Sequence, residues 1–227
     1  AEKRHSLVWA VTGSGKTEMI FPVVCQVLRE GGRVVIASPR IDVCRELFPR
    51  ICEVFPDEAP LLLYGDSEEK YRFTHLMICT THQLVHFYQE FDLLIIDEID
   101  AFPFEGDAML HYFVHQAIKE EGCFIYLTAT PPQHLLDEIK DDFRIEKLPI
   151  RFHKRPLIVP ELVWLEDWRN CYKKKRRMNK FLQLLQELLS ENDVLVFCPS
   201  ISYMQALHQK AAAHFSSSAI TSVSSQD

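Results

Sequence analysis

The sequence predicts an α/β fold, a parallel sheet with helices on both faces. Three observations carry that expectation. Short apolar runs alternate with stretches of helical periodicity over the first 150 residues. Runs such as Leu93–Ile96 and Cys123–Leu127 are apolar without polar alternation, as in strands buried on both faces. Each of three polar motifs follows such a run: Gly13-Ser14-Gly15-Lys16-Thr17, Asp97-Glu98-Ile99-Asp100 and Thr128-Ala129-Thr130. Open parallel sheets carry their active loops at those strand ends.

Taken in order, Leu7–Val11 reads as a buried strand and Thr12–Gly15 as a loop. Lys16 to Glu30 reads as a helix stopped by Gly31-Gly32, with Pro22 placed to kink it. Arg33–Ala37 is a strand and Ile41–Phe55 is mostly helical despite Pro49. Leu61–Tyr64 and Leu76–Cys79 are short strands, and Gln83–Gln89 is a helical turn or two. Asp92–Ile96 is a strand, Gly106–Glu120 a long helix, and Cys123–Leu127 another strand. Pro149, Pro156 and Pro160 mark residues 150–160 as a linker between a first domain, 1–149, and an incomplete second α/β domain, 161–227. In the second domain Leu162–Trp164, Asp193–Phe197 and Ala219–Ser222 read as strands, and Lys180–Ser190 and Ser202–His214 as helices.

Composition narrows the class. No apolar run reaches the roughly 18 residues of a membrane span, and the opening residues lack the pattern of a signal peptide. The seven cysteines form no CxxC pair and mostly sit in apolar runs, which points to buried thiols in a reducing cytosol and against a zinc site. Residues 1–150 carry 14 Lys and Arg against 25 Asp and Glu, whereas residues 151–227 carry 11 against 7. The sign change supports the domain boundary, and a basic face on an acidic protein still permits nucleic-acid binding.

The motifs carry the chemistry. Thr12, Gly13, Ser14, Gly15, Lys16 and Thr17 form a phosphate loop that turns backbone N–H groups toward an anion at a helix N-terminus. Lys16 is placed to reach the β- and γ-phosphates of ATP, and Thr17 to put its hydroxyl on Mg²⁺. Ala10 stands where the common pattern has its first glycine. Asp97, 81 residues after Lys16, is placed to hold the Mg²⁺, and Glu98 to orient and deprotonate the attacking water. Thr128-Ala129-Thr130 follows 31 residues later as the third motif of the series.

That ordered series matches the superfamily-2 helicase pattern. The stretches Trp9–Met19 and Ile95–Phe104, with the continuation Asp100-Ala101-Phe102-Pro103-Phe104, resemble the ComFA-like competence DNA-uptake helicases. The resemblance implies a RecA-like P-loop domain followed by the beginning of a second, and a DEAD/DEAH-type ATPase truncated at both ends. It implies Thr128, Ala129, Thr130 and Asp100 as the coupling between hydrolysis and domain movement. It further implies nucleic-acid contacts at Ser38, Pro39 and Arg40 and at Thr80, Thr81 and His82, for which helix capping by Ser38 or Thr81 is the competing explanation. Phe197–Ser200 resembles the first motif of the second motor domain. The implied partners are single-stranded DNA and other competence or DNA-uptake proteins. The implied location is the cytoplasm, peripheral at most to the inner face of the membrane.

Alternatives stay open from the sequence: a replication-restart-type helicase, a protein-translocating motor of the same superfamily, or a P-loop module that does not hydrolyse. The absence of an NKxD motif argues against a GTPase. His82/His86 and His111/His115 have the spacing of zinc ligands but lack the glutamate of HExxH, so they read as packing or surface histidines. The basic run Lys173–Arg177 reads as a solvated helix face or a phosphate contact. No arginine follows Arg177, so the chain alone is expected to bind nucleotide and hydrolyse it poorly. Apolar surface left uncovered in the second domain is expected to favour self-association.

Overall fold

A computed structural model describes residues 5–65, 67, 70–101, 106–154, 156, 159–164, 167–215 and 220–223. The chain divides into two compact units, residues 1–158 and 159–227.

The first unit is built on seven strands: β1 (His5–Ala10), β2 (Val34–Ser38), β3 (Leu61–Leu63), β4 (Leu76–Thr80), β5 (Phe91–Asp97), β6 (Ile118–Thr128) and β7 (Phe143–Leu148). They form one parallel sheet in the order β3-β4-β2-β5-β6-β1-β7. Parallel strands need crossovers, and helices α1 (Lys16–Arg29), α2 (Ile41–Val54), α3 (Ala108–Ala117) and α4 (Gln133–Ile139) lie between them in sequence. Along β5 the side chains alternate between two cores. Leu94 and Ile96 join Val114 of α3 and Leu135 of α4 on one face, and Leu93 and Ile95 join Val24 of α1 and Leu47 of α2 on the other. Leu94, Ile95 and Ile96 are all fully buried, which explains the unbroken apolar run. Both α1 and α2 continue through their internal prolines, Pro22 and Pro49.

Among the described residues Arg33 is the charged side chain carried into the core. Its Nε donates to the Thr74 carbonyl at 2.9 Å, it pairs with Glu90, and its guanidinium lies over the Phe73 ring at 4.8 Å and the Phe91 ring at 5.1 Å. These contacts tie β2 to its neighbours at the end of the sheet where β2 begins.

Several boundaries differ from the sequence reading. The helix expected over 106–120 is α3, Ala108–Ala117, capped by Asp107, whose carboxylate accepts from the N–H of Met109 at 2.9 Å. Ile118–Glu120 instead open β6, because Ile118 pairs with Phe91 of β5. The turn expected at 83–89 is a 3-10 helix over Thr81–His86. The helix α4 and the edge strand β7 go beyond the sequence reading. In β7 half-buried Phe143 and Ile145 alternate with exposed Arg144 and Glu146, and the alternation breaks at exposed Lys147.

The second unit contains a 3-10 helix, Trp168–Lys173, and the helices α5 (Lys175–Leu189) and α6 (Ile201–Ala212). Met178 and Leu182 of α5 pack with Leu207 and Ala211 of α6. The helix expected from Lys180 begins earlier, at Lys175, so three residues of the basic run fall in its first turn. The strands expected at Leu162–Trp164 and Asp193–Phe197 do not form among the described residues; Leu162 is 93% exposed and Phe197 88%. An apolar run becomes a strand only where a neighbour takes its backbone hydrogen bonds. Of the strand expected at Ala219–Ser222, Ala219 lies outside the described residues and Ile220–Ser222 form none.

Ile95→Ala empties a fully buried site between α1, α2 and the sheet. It is expected to cost about 2–5 kcal/mol of stability, read as a lower urea midpoint. Leu195→Ala, at a position 79% exposed, is expected to stay within about 0.5 kcal/mol of the parent.

Candidate active site

The loop after β1 owes its shape to two glycines. Gly13 has φ 78° and Gly15 has φ 84°, left-handed values that cost a residue with a Cβ. A Cβ on Gly13 would meet nothing nearer than Arg151 Nε at 3.5 Å, so backbone conformation and not space demands glycine. Gly15 is also the N-cap of α1 and has no side chain to cap with, which leaves the first N–H groups of the helix for an incoming anion. The loop is fixed from behind. Val11 N–H donates to the Leu148 carbonyl at 3.2 Å and Phe152 N–H to the Gly13 carbonyl at 3.0 Å. Arg151 Nε donates to the Thr12 carbonyl at 3.1 Å. Arg151 and Phe152, read from the sequence as linker, thus brace the phosphate loop. Ser14 Oγ is buried without a hydrogen-bond partner, a polar atom left for a ligand.

The second motif begins where β5 ends. Asp97 Oδ1 accepts from the Glu98 N–H at 3.0 Å. Burial pushes the Asp97 carboxyl above the ordinary carboxylate range; the Lys16 charge opposes this, and the Glu98 and Asp100 charges add to it. Glu98 has φ 57°, a left-handed value for a residue with a side chain and a conformation costing on the order of 1–3 kcal/mol. The turn is held by its neighbours, with Ile99 buried and the Ala101 N–H donating to the Glu98 carbonyl at 2.9 Å.

Asp100 joins the second motif to the third. Its Oδ1 accepts from Thr128 Oγ1 at 2.6 Å, and its Oδ2 accepts from Thr130 Oγ1. Thr128 Oγ1 in turn accepts from the Thr130 N–H at 3.0 Å, and Trp9 Nε1 of β1 donates to the Ala129 carbonyl at 3.1 Å. Strand register makes this possible, since Asp97 lies opposite Leu127 and Trp9 opposite Thr128. Phe102, Pro103 and Phe104, the distinctive continuation of the acidic box, lie outside the described residues.

These parts meet in one cleft of about 1030 Å³. Residues Thr12–Thr17, Asp97, Glu98, Asp100, Ala129 and Thr130 line it, together with Leu47 and Arg50 of α2 and with Phe152 and His153. Thr128, 1% exposed, lies beneath the lining. Sequence reasoning missed Arg50, Arg151, Phe152 and His153, because nothing local marks a residue that arrives by tertiary folding. Among the described residues no three His, Cys, Asp or Glu side chains gather as a metal site. A metal here would draw on Thr17, Asp97 and the phosphates of a nucleotide.

The residues expected to touch nucleic acid sit side by side, with Ser38 of β2 opposite Thr80 of β4. Ser38, Pro39, Thr80 and Thr81 are buried, while Arg40 and His82 are exposed. Ser38 Oγ accepts from the Arg40 N–H at 3.3 Å, a local turn contact, and Thr81 Oγ1 is buried without a partner. In the second unit Lys173 and Lys174 precede α5, and Arg177 in its first turn donates to Asp167 at 2.6 Å.

The model of the DEAD/DEAH box helicase family matches residues 1–139, most of the first unit. The chain belongs to that family. It is 42% identical over 227 residues to the competence protein ComFA of Streptococcus pneumoniae, covering 99% of this chain and 52% of the relative. Against ComFA of Bacillus subtilis it is 39% identical over 221 residues, covering 95% and 46%. The chain therefore spans about half the length of these curated relatives. A more distant match, 23% identical over 231 residues, is the replication restart protein PriA of Rickettsia typhi, covering 93% of this chain and 35% of that one. Among solved structures the fold is similar to S. cerevisiae Dbp5 bound to RNA and ADP BeF3, with TM-score 0.65, 15% identity and coverage of 93% and 57%. It is also similar to the Pyrococcus furiosus Hef helicase domain, with TM-score 0.57, 15% identity and coverage of 93% and 54%. These likenesses establish the RecA-like fold of helicase-family ATPases.

Asp100→Ala removes the acceptor for two hydroxyls and leaves the buried Thr128 hydroxyl without its carboxylate. Loss of charge-assisted bonds is expected to cost about 1.5–3 kcal/mol in urea unfolding. Asp100→Asn is expected to cost less, since its amide oxygen still accepts one of the two.

Proposed function

We propose that this chain is the nucleotide-binding part of an ATP-driven motor that moves single-stranded DNA during bacterial DNA uptake. The observation that carries the reading is the meeting of three motifs in one cleft, with Asp100 bonded to both threonines of the third. The competence names of its ComFA relatives supply the biological setting.

The cleft fits Mg²⁺-ATP on its own chemistry. The positive-φ glycines open the loop backbone, the α1 N-terminus lacks a side-chain cap, and buried Ser14 Oγ lacks a partner. Lys16 contacts the β- and γ-phosphates, and Thr17 and Asp97 hold the metal. The metal, when bound, neutralises phosphate charge that would otherwise face three carboxylates. Glu98 orients the attacking water and accepts its proton. Thr128 and Thr130 sense the acidic motif through Asp100 and pass its state to the rest of the motor. Ser38, Pro39, Arg40, Thr80, Thr81 and His82 mark the strand-binding face, with Arg40 and His82 supplying its exposed side chains.

Other DNA-uptake proteins are its partners in this reading, and its place is the cytoplasm, at most peripheral to the inner face of the membrane. Among the described residues no helix is long and apolar enough to cross a membrane.

Two substitutions separate binding from chemistry. Lys16→Ala is expected to abolish ATP binding by calorimetry, since a charge-assisted contact to the phosphates is lost. Glu98→Gln is expected to keep ATP binding and to lower turnover by about 10²-fold or more. Parental affinity in the first, or parental turnover in the second, contradicts the assigned role.

A further inference from the structure

Arg40 follows β2, and Glu98 follows β5, its neighbour in the sheet. The Arg40 guanidinium is held by two carboxylates in unequal ways. Asp42, in the first turn of α2, accepts from Nε at 3.2 Å and from Nη2 at 2.5 Å, a forked contact. Glu98 accepts only from Nη1, at 3.4 Å. The Arg40 side chain is 50% exposed and that of Glu98 37%. Glu98 lines the nucleotide cleft and Arg40 does not. One long ion pair thus links a group inside the cleft to a group outside it.

The two arms differ in what can displace them. The fork to Asp42 fixes the plane and position of the guanidinium, as bidentate arginine–carboxylate contacts do. The arm to Glu98 is single, stretched and open to water, the kind of pair that contributes least. A backbone phosphate presents acceptor oxygens that arginine recognises well. It can take Nη1 while Asp42 keeps the guanidinium in place. Glu98 also has a left-handed backbone, a strained conformation that persists only where its surroundings hold it.

We propose that Arg40 is a positioning residue for Glu98. Without nucleic acid it ties the Glu98 carboxylate toward β2. A phosphate of single-stranded DNA takes over Nη1 and frees Glu98 to bond water in the cleft. This rests on the reading of Glu98 as the proton acceptor of a DNA motor, and it specifies how strand binding reaches that acceptor. The direction of linkage follows: if DNA and Glu98 compete for Arg40, removing the Glu98 charge strengthens DNA binding, and only through Arg40.

The test is the affinity of the intact chain for a fluorescent oligothymidine, measured by anisotropy at several salt concentrations. Four proteins are compared: the parent, Glu98→Gln, Arg40→Gln and the double variant. Both side chains are substantially exposed, so neither change threatens folding, and a thermal melt of each variant verifies this. Glu98→Gln is expected to tighten binding about two- to fivefold. Arg40→Gln is expected to weaken it and to lower the salt slope by about one. On the Arg40→Gln background the Glu98→Gln effect is expected to vanish. Tightening that persists without Arg40, or no tightening at all, overturns the exchange while leaving DNA binding intact. Failure of all four proteins to bind the strand overturns the exchange together with the DNA-motor reading beneath it.

Discussion

The candidate site depends on burial of β5, β6 and β1 side by side in a parallel sheet with a core on each face. Parallel neighbours end at the same edge, so three loops far apart in sequence leave the sheet together. The register then sets their heights: Asp97 faces Leu127, and one step further Thr128 faces Trp9. A slip of one residue in either pairing would turn every side chain of the strand to the opposite core and carry its motif out of reach. The apolar residues of these strands hold the functional geometry as firmly as the polar motifs do.

Electrostatics at that edge works against the fold and for the ligand. Asp97, Glu98 and Asp100 bring three carboxylates into one cleft with Lys16 among them. Asp97 feels burial as a cost that the lysine only partly relieves. Asp100 is quieted by two hydroxyl donors, and Glu98 is tethered by Arg40 on a strained backbone. The buried Asp97 carboxyl and the left-handed backbone at Glu98 cost stability that a plain turn would not, and such costs concentrate where a protein binds or reacts. A cation-bearing nucleotide would relieve the repulsion, which is why an acidic cleft suits an anionic ligand carrying Mg²⁺.

The sequence made the strands and the three motifs legible because each is local. An apolar run followed by Gly13–Thr17, or by Asp97–Asp100, carries its own signal. Features made by tertiary contact were not legible. Arg151, through its side-chain Nε, and Phe152, through its backbone N–H, brace the loop across more than a hundred residues of chain, and among prolines they read as linker. The β7 strand alternates over only four residues, Phe143–Glu146, and its pairing with β1 makes it a strand. Asp193–Phe197 shows the converse, a strand-like run that has no partner strand among the described residues, with Leu195, Val196 and Phe197 exposed. At Ser38 and Thr81 the competing roles could not be told apart by residue type. The structure buries both, gives Ser38 a turn contact and leaves Thr81 Oγ1 unpartnered.

In the proposed function, phosphate recognition by the loop after β1 defines this site. Calorimetric titration of the chain with Mg²⁺-ATP and, separately, with adenosine tests it most directly. One saturable Mg²⁺-ATP site per chain is expected, weakened when Mg²⁺ is chelated, with no comparable binding of adenosine. Equal affinity for adenosine and ATP, or no saturable binding of Mg²⁺-ATP, would contradict it.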